Sequence, residues 1–137
     1  MVIHMTRQQL YTRGGILDEL MDTGFSAAGL VDAAGRLIRY SVPTLRDLGK
    51  TQEECVGRPI EELDPDTHLG QVARTGVPEA GRLVLMRGKY HIVTELPIYE
   101  GTDRIGGMGM LVSLDTNKLK RALGKLSEGS TQSAALY

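Results

Sequence analysis

The chain has 137 residues, a length that fits one domain with short flanking segments. Hydrophobic residues make up 41% and charged residues 24%, which is the composition of a globular protein and excludes wholesale disorder. Sixteen Lys and Arg stand against seventeen Asp and Glu, for a net charge of -1. This balance argues against a nucleic-acid-binding protein that acts through bulk positive charge.

The single cysteine and the lack of long apolar runs exclude further classes. Cys55 alone cannot form an internal disulfide framework or a multi-cysteine zinc or iron–sulfur site. No stretch approaches the roughly 18 apolar residues of a membrane-spanning helix, and the N-terminal segment lacks the apolar region of a signal peptide. We therefore expect a cytoplasmic protein without a membrane contact.

The first third of the sequence predicts a leader, a helix and a hairpin. Residues 1–14 form a polar leader with some helical character. Apolar residues at helical spacing predict a helix that begins at Ile16 and ends before Gly24. Two apolar runs, 28–32 and 36–40, are joined by a tight glycine-containing turn, which is typical of a β-hairpin.

The middle of the sequence predicts short helices. Proline and glycine interrupt residues 43–63 repeatedly, so several short helices are expected there rather than one long helix. Thr51 precedes Glu53 and Glu54, and we expect Thr51 to cap a helix whose first turn is acidic. Another short helix is predicted over 66–74.

The second half of the sequence predicts three antiparallel strands, over 81–87, 89–98 and 104–114. The middle strand alternates with a period of two, so one of its faces is predicted to be buried. The predicted buried face carries Tyr90, Ile92, Thr94, Leu96 and Ile98. The opposite face, predicted to meet solvent or a partner chain, carries Lys89, His91, Val93 and Glu95.

The last segment predicts a helix and a tail. Asp115 can cap a helix over 116–127 whose leucines form one apolar stripe, and 128–137 is predicted to be a disordered tail. Strands segregated from helices indicate an α+β domain. We expect a five-stranded antiparallel sheet covered on one face by short helices, with flanking N- and C-terminal helices.

Residues 15–115 resemble a PAS domain in the order of their segments. The resemblance begins with a lead-in helix, continues with an acidic residue and a glycine turn in the opening hairpin, and ends with a helix-then-glycine segment and a final hairpin. These segments are Ile16-Leu17-Asp18-Glu19-Leu20, Leu30-Val31-Asp32, Gly35-Arg36-Leu37-Ile38, Thr51-Gln52-Glu53-Glu54-Cys55-Val56-Gly57-Arg58-Pro59, and Gly101 with Arg104-Ile105-Gly106.

Two further segments are similar to the N-terminal PAS modules of bacterial enhancer-binding (NtrC-type) transcription regulators. They are Thr75-Gly76-Val77-Pro78-Glu79 and Leu96-Pro97-Ile98. The chain departs from the PAS pattern at Ser41, where the family usually has Asn. It also departs after Asp115, which Thr116 follows directly although the family usually has one residue between them.

The resemblance implies a sensor that binds a small molecule and passes a conformational bias through Asp115 and the exit helix, 116–127, to an output domain. The sequence contains no phosphate-binding loop, kinase signature or helix-turn-helix. We therefore predict a sensor fragment or small stand-alone sensor of a transcription regulator or another signal-transduction protein, without direct nucleic-acid contact.

A small-molecule pocket is expected between the helices and the apolar face of the sheet. The residues predicted to contact the ligand are Tyr40, Val56, Leu69, Val72, Leu85, Ile92, Thr94, Met108 and Met110. The alternative is that these side chains fill a closed core. The chain would then be a ligand-free dimerisation module.

Cofactors, metals and catalysis are not expected. Haem-binding PAS domains carry a His on the helix that matches 66–74, which makes His68 the residue for haem, but its place beside Asp66 in the first turn indicates a solvated side chain. Photoactive flavin domains place their reactive cysteine in a motif different from that around Cys55. No catalytic or metal-ligand constellation is present, so we predict no enzyme activity.

Apolar stripes on the two flanking helices predict a homodimer, because such stripes must be buried against the sheet or against a second protomer. The residues expected at the dimer interface are Leu17, Leu20, Leu119 and Leu123.

Overall fold

The computed structural model of the chain describes residues 1–86, 88–114 and 124. The strands are β1 (Ile3–His4), β2 (Ala27–Asp32), β3 (Leu37–Tyr40), β4 (Glu79–Met86), β5 (Lys89–Glu100) and β6 (Asp103–Ser113). The helices are α1 (Arg7–Tyr11), α2 (Ile16–Thr23), α3 (Val42–Leu48), α4 (Gln52–Cys55), α5 (Ile60–Leu63) and α6 (Leu69–Thr75). No helix of the described ranges is long and apolar enough to span a membrane.

The strands form one sheet in which β5, β6, β2 and β3 are successive antiparallel neighbours. The edge of β5 opposite β6 pairs with two strands. Its first half is antiparallel to β4, and its second half is parallel to the short β1. The prediction of an α+β fold with a five-stranded antiparallel sheet is confirmed, and β1 adds a short strand from the predicted leader.

Polar caps explain where the short helices begin. Thr51 caps α4 in a capping box in which its side chain accepts from the Glu54 N–H and the Glu54 side chain accepts from the Thr51 N–H. The predicted helix over 66–74 begins later, at Leu69. The reason is that Asp64 and Pro65 form a loop in which the Asp64 Oδ1 accepts from the Asp66 N–H.

Helices cover both faces of the sheet. The inner face packs against α3 to α6 through a cluster of Val31, Leu37, Tyr40, Cys55, Ile60, Leu63, Leu69 and Ala73. The outer face packs against α1 and α2 through a cluster of Leu10, Met21, Ala28, Leu30, Ile98, Ile105 and Met108. The cavity described below lies at the inner face.

The predicted orientation of β5 is wrong. Residues 90, 92, 94, 96 and 98 lie on the outer face, where Ile98 and Leu96 are buried near the N-terminal helices. His91, Val93 and Glu95 point to the inner face and line the cavity, and His91 and Glu95 are buried. Alternation identifies the two faces of a strand, but it cannot say which face meets the helices when both are covered.

Candidate functional site

A cavity of about 610 Å³ lies between the inner face of the sheet and the helices. Its walls come from α3, α5, the loop over residues 64–67 and the start of α6, and its floor comes from β2, β4, β5 and β6. The volume is in the range of small-molecule sites, about 300–1,000 Å³.

A row of residues across four strands forms one end of the floor. Tyr40 pairs with Gly29, Gly29 with Gly109, and Gly109 with Glu95. The central glycines have no side chain, so neighbouring groups lie close to the backbone. A Cβ on Gly29 would be 3.0 Å from the Tyr40 Cε1, and a Cβ on Gly109 would be 3.2 Å from the Leu69 Cδ2. Tyr40 and Leu69 therefore close this end over a thin floor.

The next two rows open toward the end of β6. In the first row, Arg82 pairs with Val93, and Leu111 pairs with both Val93 and Ala27. In the second row, His91 pairs with Val84 on one side and Ser113 on the other. The floor thus changes from glycine to aliphatic side chains and then to a histidine.

Glu95 is a buried carboxylate with a complete set of partners. It is 3% exposed. Its Oε2 accepts from the Thr67 hydroxyl at 3.1 Å and from the His68 backbone N–H at 3.1 Å, while its Oε1 accepts from the Arg82 Nη2 at 3.2 Å. These bonds offset the cost of burying the charge. They also join the start of α6 to β4 and β5 at the edge of the cavity.

His68, Glu79 and Glu95 bring three possible metal ligands within 4.8 Å of one another. The His68 Nδ1 lies 2.5 Å from the Glu79 Oε2, and the Arg82 guanidinium pairs with Glu95 and lies 4.0 Å from Glu79. A divalent cation would have to displace this guanidinium and the proton between His68 and Glu79. In this cluster Arg82 pairs with Glu95 and Glu79, and His68 is hydrogen-bonded to Glu79.

His91 presents a ring nitrogen to the cavity. Its side chain is 9% exposed, and the Nδ1 lies 3.1 Å from the Lys89 carbonyl oxygen. A carbonyl oxygen only accepts, so the Nδ1 donates the hydrogen bond, which makes the Nε2 an acceptor in the neutral form of the ring. No other residue in the described part of the chain bonds to this ring.

Tyr40 presents a hydroxyl at the opposite end of the cavity and is 6% exposed. Its backbone is fixed by Gln52, whose side-chain amide accepts from the Tyr40 N–H and donates to the Tyr40 carbonyl. Burial, with a smaller contribution from the nearby Asp64 charge, raises the pKa of the Tyr40 phenol. Its hydroxyl makes no hydrogen bond within residues 1–86 and 88–114.

The structure places the predicted ligand-contacting residues in three different environments. Tyr40 and Leu69 line the cavity, and Met110 borders it although it packs against the outer-face cluster. Val72 is buried in α6 without bordering it. The residues placed elsewhere are Val56 and Leu85, which are exposed, and Ile92, Thr94 and Met108, which lie on the outer face. The misplacement of Leu85, Ile92, Thr94 and Met108 follows from the reversed orientation of β5 and the strands paired with it. Val56 is misplaced because it ends α4 at the surface.

The residues that the sequence interpretation missed are polar groups on the inner face: His91, Glu95, Arg82 and Thr67. One signal pointed to them. Gly109 of β6 pairs with Glu95 and lies in phase with it, and glycine in a strand marks a place where another group comes close.

The two residues weighed for cofactors do not line the cavity. The His68 ring is bonded to Glu79 and does not line the cavity, so it is not placed to ligate haem there. Cys55 is buried in the inner-face cluster away from the cavity, and burial raises the pKa of its thiol.

Some of the other residues named in the sequence analysis have a described position, and the rest lie outside the described residues. Ser41 makes polar contacts although it replaces the usual Asn, because its Oγ accepts from the Ala28 N–H at 3.0 Å and caps α3. Leu17 packs against the outer-face cluster and Leu20 is exposed. Asp115, Leu119 and Leu123 lie outside the described residues, as does the whole segment 116–123.

Comparisons with known proteins find similarity in structure alone. No protein-family model matches the sequence, and no curated protein matches it. Among solved structures, the PAS domain of BvgS from Bordetella pertussis is similar with a TM-score of 0.54 at 21% identity, over 82% of this chain and 95% of that domain.

Two other solved structures are similar at the same level. A light-oxygen-voltage domain studied with a flavin analogue has a TM-score of 0.53 at 14% identity, over 85% of this chain and 98% of that one. The Vibrio cholerae VqmA dimer has a TM-score of 0.53 at 16% identity, over 83% of this chain and 53% of that one. The chain therefore has the PAS fold, as predicted.

Proposed function

We propose that this chain is a sensor domain that binds a small molecule in the cavity and relays its presence through the sheet. The observation that carries the proposal is the cavity itself, which is lined by the buried side chains of Tyr40 and His91, whose Oη and Nε2 have no hydrogen-bond partner among the described residues. A ligand in the cavity can pair with these atoms. The similarity in fold to PAS domains supports a signalling role.

The proposed relay depends on how the cavity is built. Its wall and floor are joined by the bonds of Glu95 to Thr67 and to the His68 N–H, so a ligand beneath α6 favours one packing of α6 on β5 over another. At the other end, Ser113 pairs with His91, and the Leu114 N–H donates to the Tyr90 carbonyl. The chain then continues toward Asp115, the proposed signal-relay residue.

The proposed setting is the cytoplasm, within a transcription regulator of the NtrC type or another signal-transduction protein. It rests on the sequence resemblance of residues 75–79 and 96–98, and it includes no catalytic step and no cofactor. In an intact regulator, Asp115→Ala should abolish the response to ligand while leaving ligand affinity unchanged. An unchanged response would remove Asp115 from the relay.

Ligand binding is tested by native mass spectrometry and ultraviolet–visible spectroscopy of the freshly purified chain. We expect a colourless bound molecule. Ala27→Phe, which adds a ring to the cavity floor, should release it. Ala33→Phe makes the same change at an exposed position outside the cavity and is the matched control. A Soret or flavin band would contradict the cofactor proposal, and a bound mass retained equally by both variants would contradict the site.

The second candidate function is a homodimerisation module, and an exposed apolar surface favours it. On the outer face, Leu83 is 57% exposed and Leu85 is 62% exposed, next to the partly exposed Ile92 and Tyr90. Exposed apolar surface of this kind marks interaction sites. The proposed partner is a second copy of the chain, with Leu17 and Leu20 of α2 and the predicted stripe of Leu119 and Leu123 contributing.

Sedimentation velocity of full-length variants tests the dimer. Leu83→Glu places a charge on the outer face and should convert a dimer to a monomer. Val56→Glu introduces the same charge at an exposed apolar position of the helical layer and should leave the dimer intact. A wild-type monomer at high concentration would contradict the homodimer.

A further inference from the structure

The walls of the cavity indicate a ligand with a compact apolar body. Its centre is lined by small and branched aliphatic groups, among them Ala27, Val93, Leu111 and Leu63. Tyr40 is the one aromatic side chain among the described lining residues. Shape and dispersion contacts, rather than ring stacking, would therefore hold the body of the ligand.

The charges around the cavity are predominantly negative. Asp47 from α3 and Asp64 and Asp66 from the loop before α6 line it, together with Glu95. Arg82 is the one guanidinium among the described lining residues, and it is already paired with Glu95. A ligand carboxylate or phosphate would be repelled by the carboxylates of Asp64 and Asp66, whereas a cationic ligand would be attracted.

Two polar atoms on buried residues that line the cavity also suit a ligand that donates a hydrogen bond. Tyr40 and His91 are at least nine-tenths buried, and neither the Tyr40 hydroxyl nor the His91 Nε2 has a partner in the described ranges. The hydroxyl of Tyr40 can accept a hydrogen bond, and so can the His91 Nε2 when the ring is neutral. An N–H group of a ligand would satisfy either atom.

From these observations we infer that the cavity takes a compact ligand with an apolar body and a positively charged nitrogen group, such as an alkyl amine. This inference rests on the ligand-binding function proposed above and names the chemical class of the ligand. The apolar body lies on the aliphatic floor, and the ammonium group lies toward the carboxylates of the rim.

Three probes of one shape test the ligand class: 1-adamantylamine, 1-adamantanol and adamantane-1-carboxylate, each titrated into the ¹⁵N-labelled full-length chain at pH 7. We expect the amine to bind at least tenfold more tightly than the carboxylate, with the alcohol between them. Shifted amide signals should include those of residues 27, 93 and 111, which lie on the cavity floor.

Charge variants test whether the carboxylates of Asp64 and Asp66 cause the tighter binding of the amine. Asp64→Asn combined with Asp66→Asn should weaken amine binding about tenfold and narrow the difference between the probes. Glu19→Gln combined with Glu53→Gln changes the net charge equally at two exposed positions outside the cavity and should leave the affinities unchanged. An equal loss of amine affinity in both double variants would contradict the role proposed for Asp64 and Asp66.

The outcomes separate this inference from the proposed function. If the carboxylate or the alcohol binds best at the cavity floor, the inferred ligand class is wrong while the ligand-binding function stands. If the amine shifts only signals away from the cavity, the inferred class is also wrong. If no probe binds and native mass spectrometry finds no bound molecule, both the inference and the proposed function are overturned.

Discussion

At the scale of single residues, Tyr40 shows how burial and chemistry combine in the cavity. Gln52 fixes its backbone through two hydrogen bonds, and its ring lies over Gly29 on the neighbouring strand. The hydroxyl thereby reaches the cavity from a rigid position. Because burial raises the pKa of this phenol, it stays a neutral hydrogen-bonding group wherever the fold is stable.

The raised pKa of Tyr40 predicts a stability change at high pH. The folded chain holds the phenolic proton at pH values where the unfolded chain has lost it, so the free energy of unfolding should fall as pH rises past about 10, the ordinary tyrosine value. Urea unfolding between pH 8 and pH 11 measures this fall. Tyr40→Phe should reduce it, whereas Tyr11→Phe, at an exposed position, should not. If the free energy of unfolding fell equally with pH in the wild type and in Tyr40→Phe, this account would be contradicted.

Arg39 is a second buried polar residue, and it fastens the N-terminal helices to the sheet. Its Nε lies 2.5 Å from the Asp18 Oδ1, and its guanidinium donates to the carbonyls of Thr12 and Leu10. Burial lowers the pKa of Arg39, and the Asp18 charge opposes that shift. The guanidinium therefore depends on Asp18 for compensation.

Asp18→Asn should destabilise the fold because it leaves the Arg39 guanidinium buried without its counter-charge. We expect a loss of about 3 kcal/mol in the free energy of unfolding, measured by urea denaturation at pH 7. Glu19→Gln removes the adjacent, exposed carboxylate of α2 and should change stability by less than about 0.5 kcal/mol. Equal effects of the two substitutions would show that the ion pair does not stabilise the fold.

At the scale of elements, the glycines of β6 determine how close α6 lies to the sheet. A Cβ on Gly107 would lie 3.2 Å from the Leu69 Cδ1 and 3.3 Å from the Ala73 Cβ. Arg104 of the same strand donates to the carbonyls of Ala73 and Arg74 near the C-terminal end of α6. The lack of a side chain at Gly107 thus lets α6 pack closely on β6, and the Arg104 guanidinium caps the C-terminal end of the helix.

Gly107→Ala should push α6 away from β6. Overpacking of this kind costs about 1–3 kcal/mol, which we expect in thermal or urea unfolding. Val112→Ala, at a partly exposed position on the outer face of β6, should cost about 0.5 kcal/mol and controls for the change in strand residue. An unchanged stability of the Gly107→Ala variant would mean that α6 can move away from β6 without a loss of stability.

The elements that the sequence predicted correctly are those with local signals. The capping box at Thr51 depends on residues three positions apart, and the hairpin of β2 and β3 depends on one turn, so both can be seen in a short window. The orientation of β5 could not be found in this way. Its outer face is buried by α1 and α2, which come from the far end of the sequence.

The candidate site was predictable only in part for the same reason. Tyr40 and Leu69 are apolar enough to be assigned to the inner layer from their patterns. Glu95 is buried because Arg82, Thr67 and the His68 N–H converge on it from two other segments. Such convergence depends on β4 lying beside β5 and α6 lying above them, which no local pattern specifies.

At the scale of the whole molecule, the two helical layers pack differently on the sheet. The N-terminal layer covers part of the outer face through Leu10 and Met21, which are both buried. The inner layer consists of short helices that leave a cavity open between them. The proposed relay therefore passes from the inner layer to β5 and β6, which the cavity residues contact.

The central claim is that the cavity is a binding site and not a gap that the core would close. A crystal structure of the freshly purified chain tests this most directly. We predict electron density for a small molecule in contact with the Tyr40 hydroxyl and the His91 Nε2. Side chains collapsed into the cavity, with Tyr40 and His91 bonded to other residues of the chain, would contradict the account.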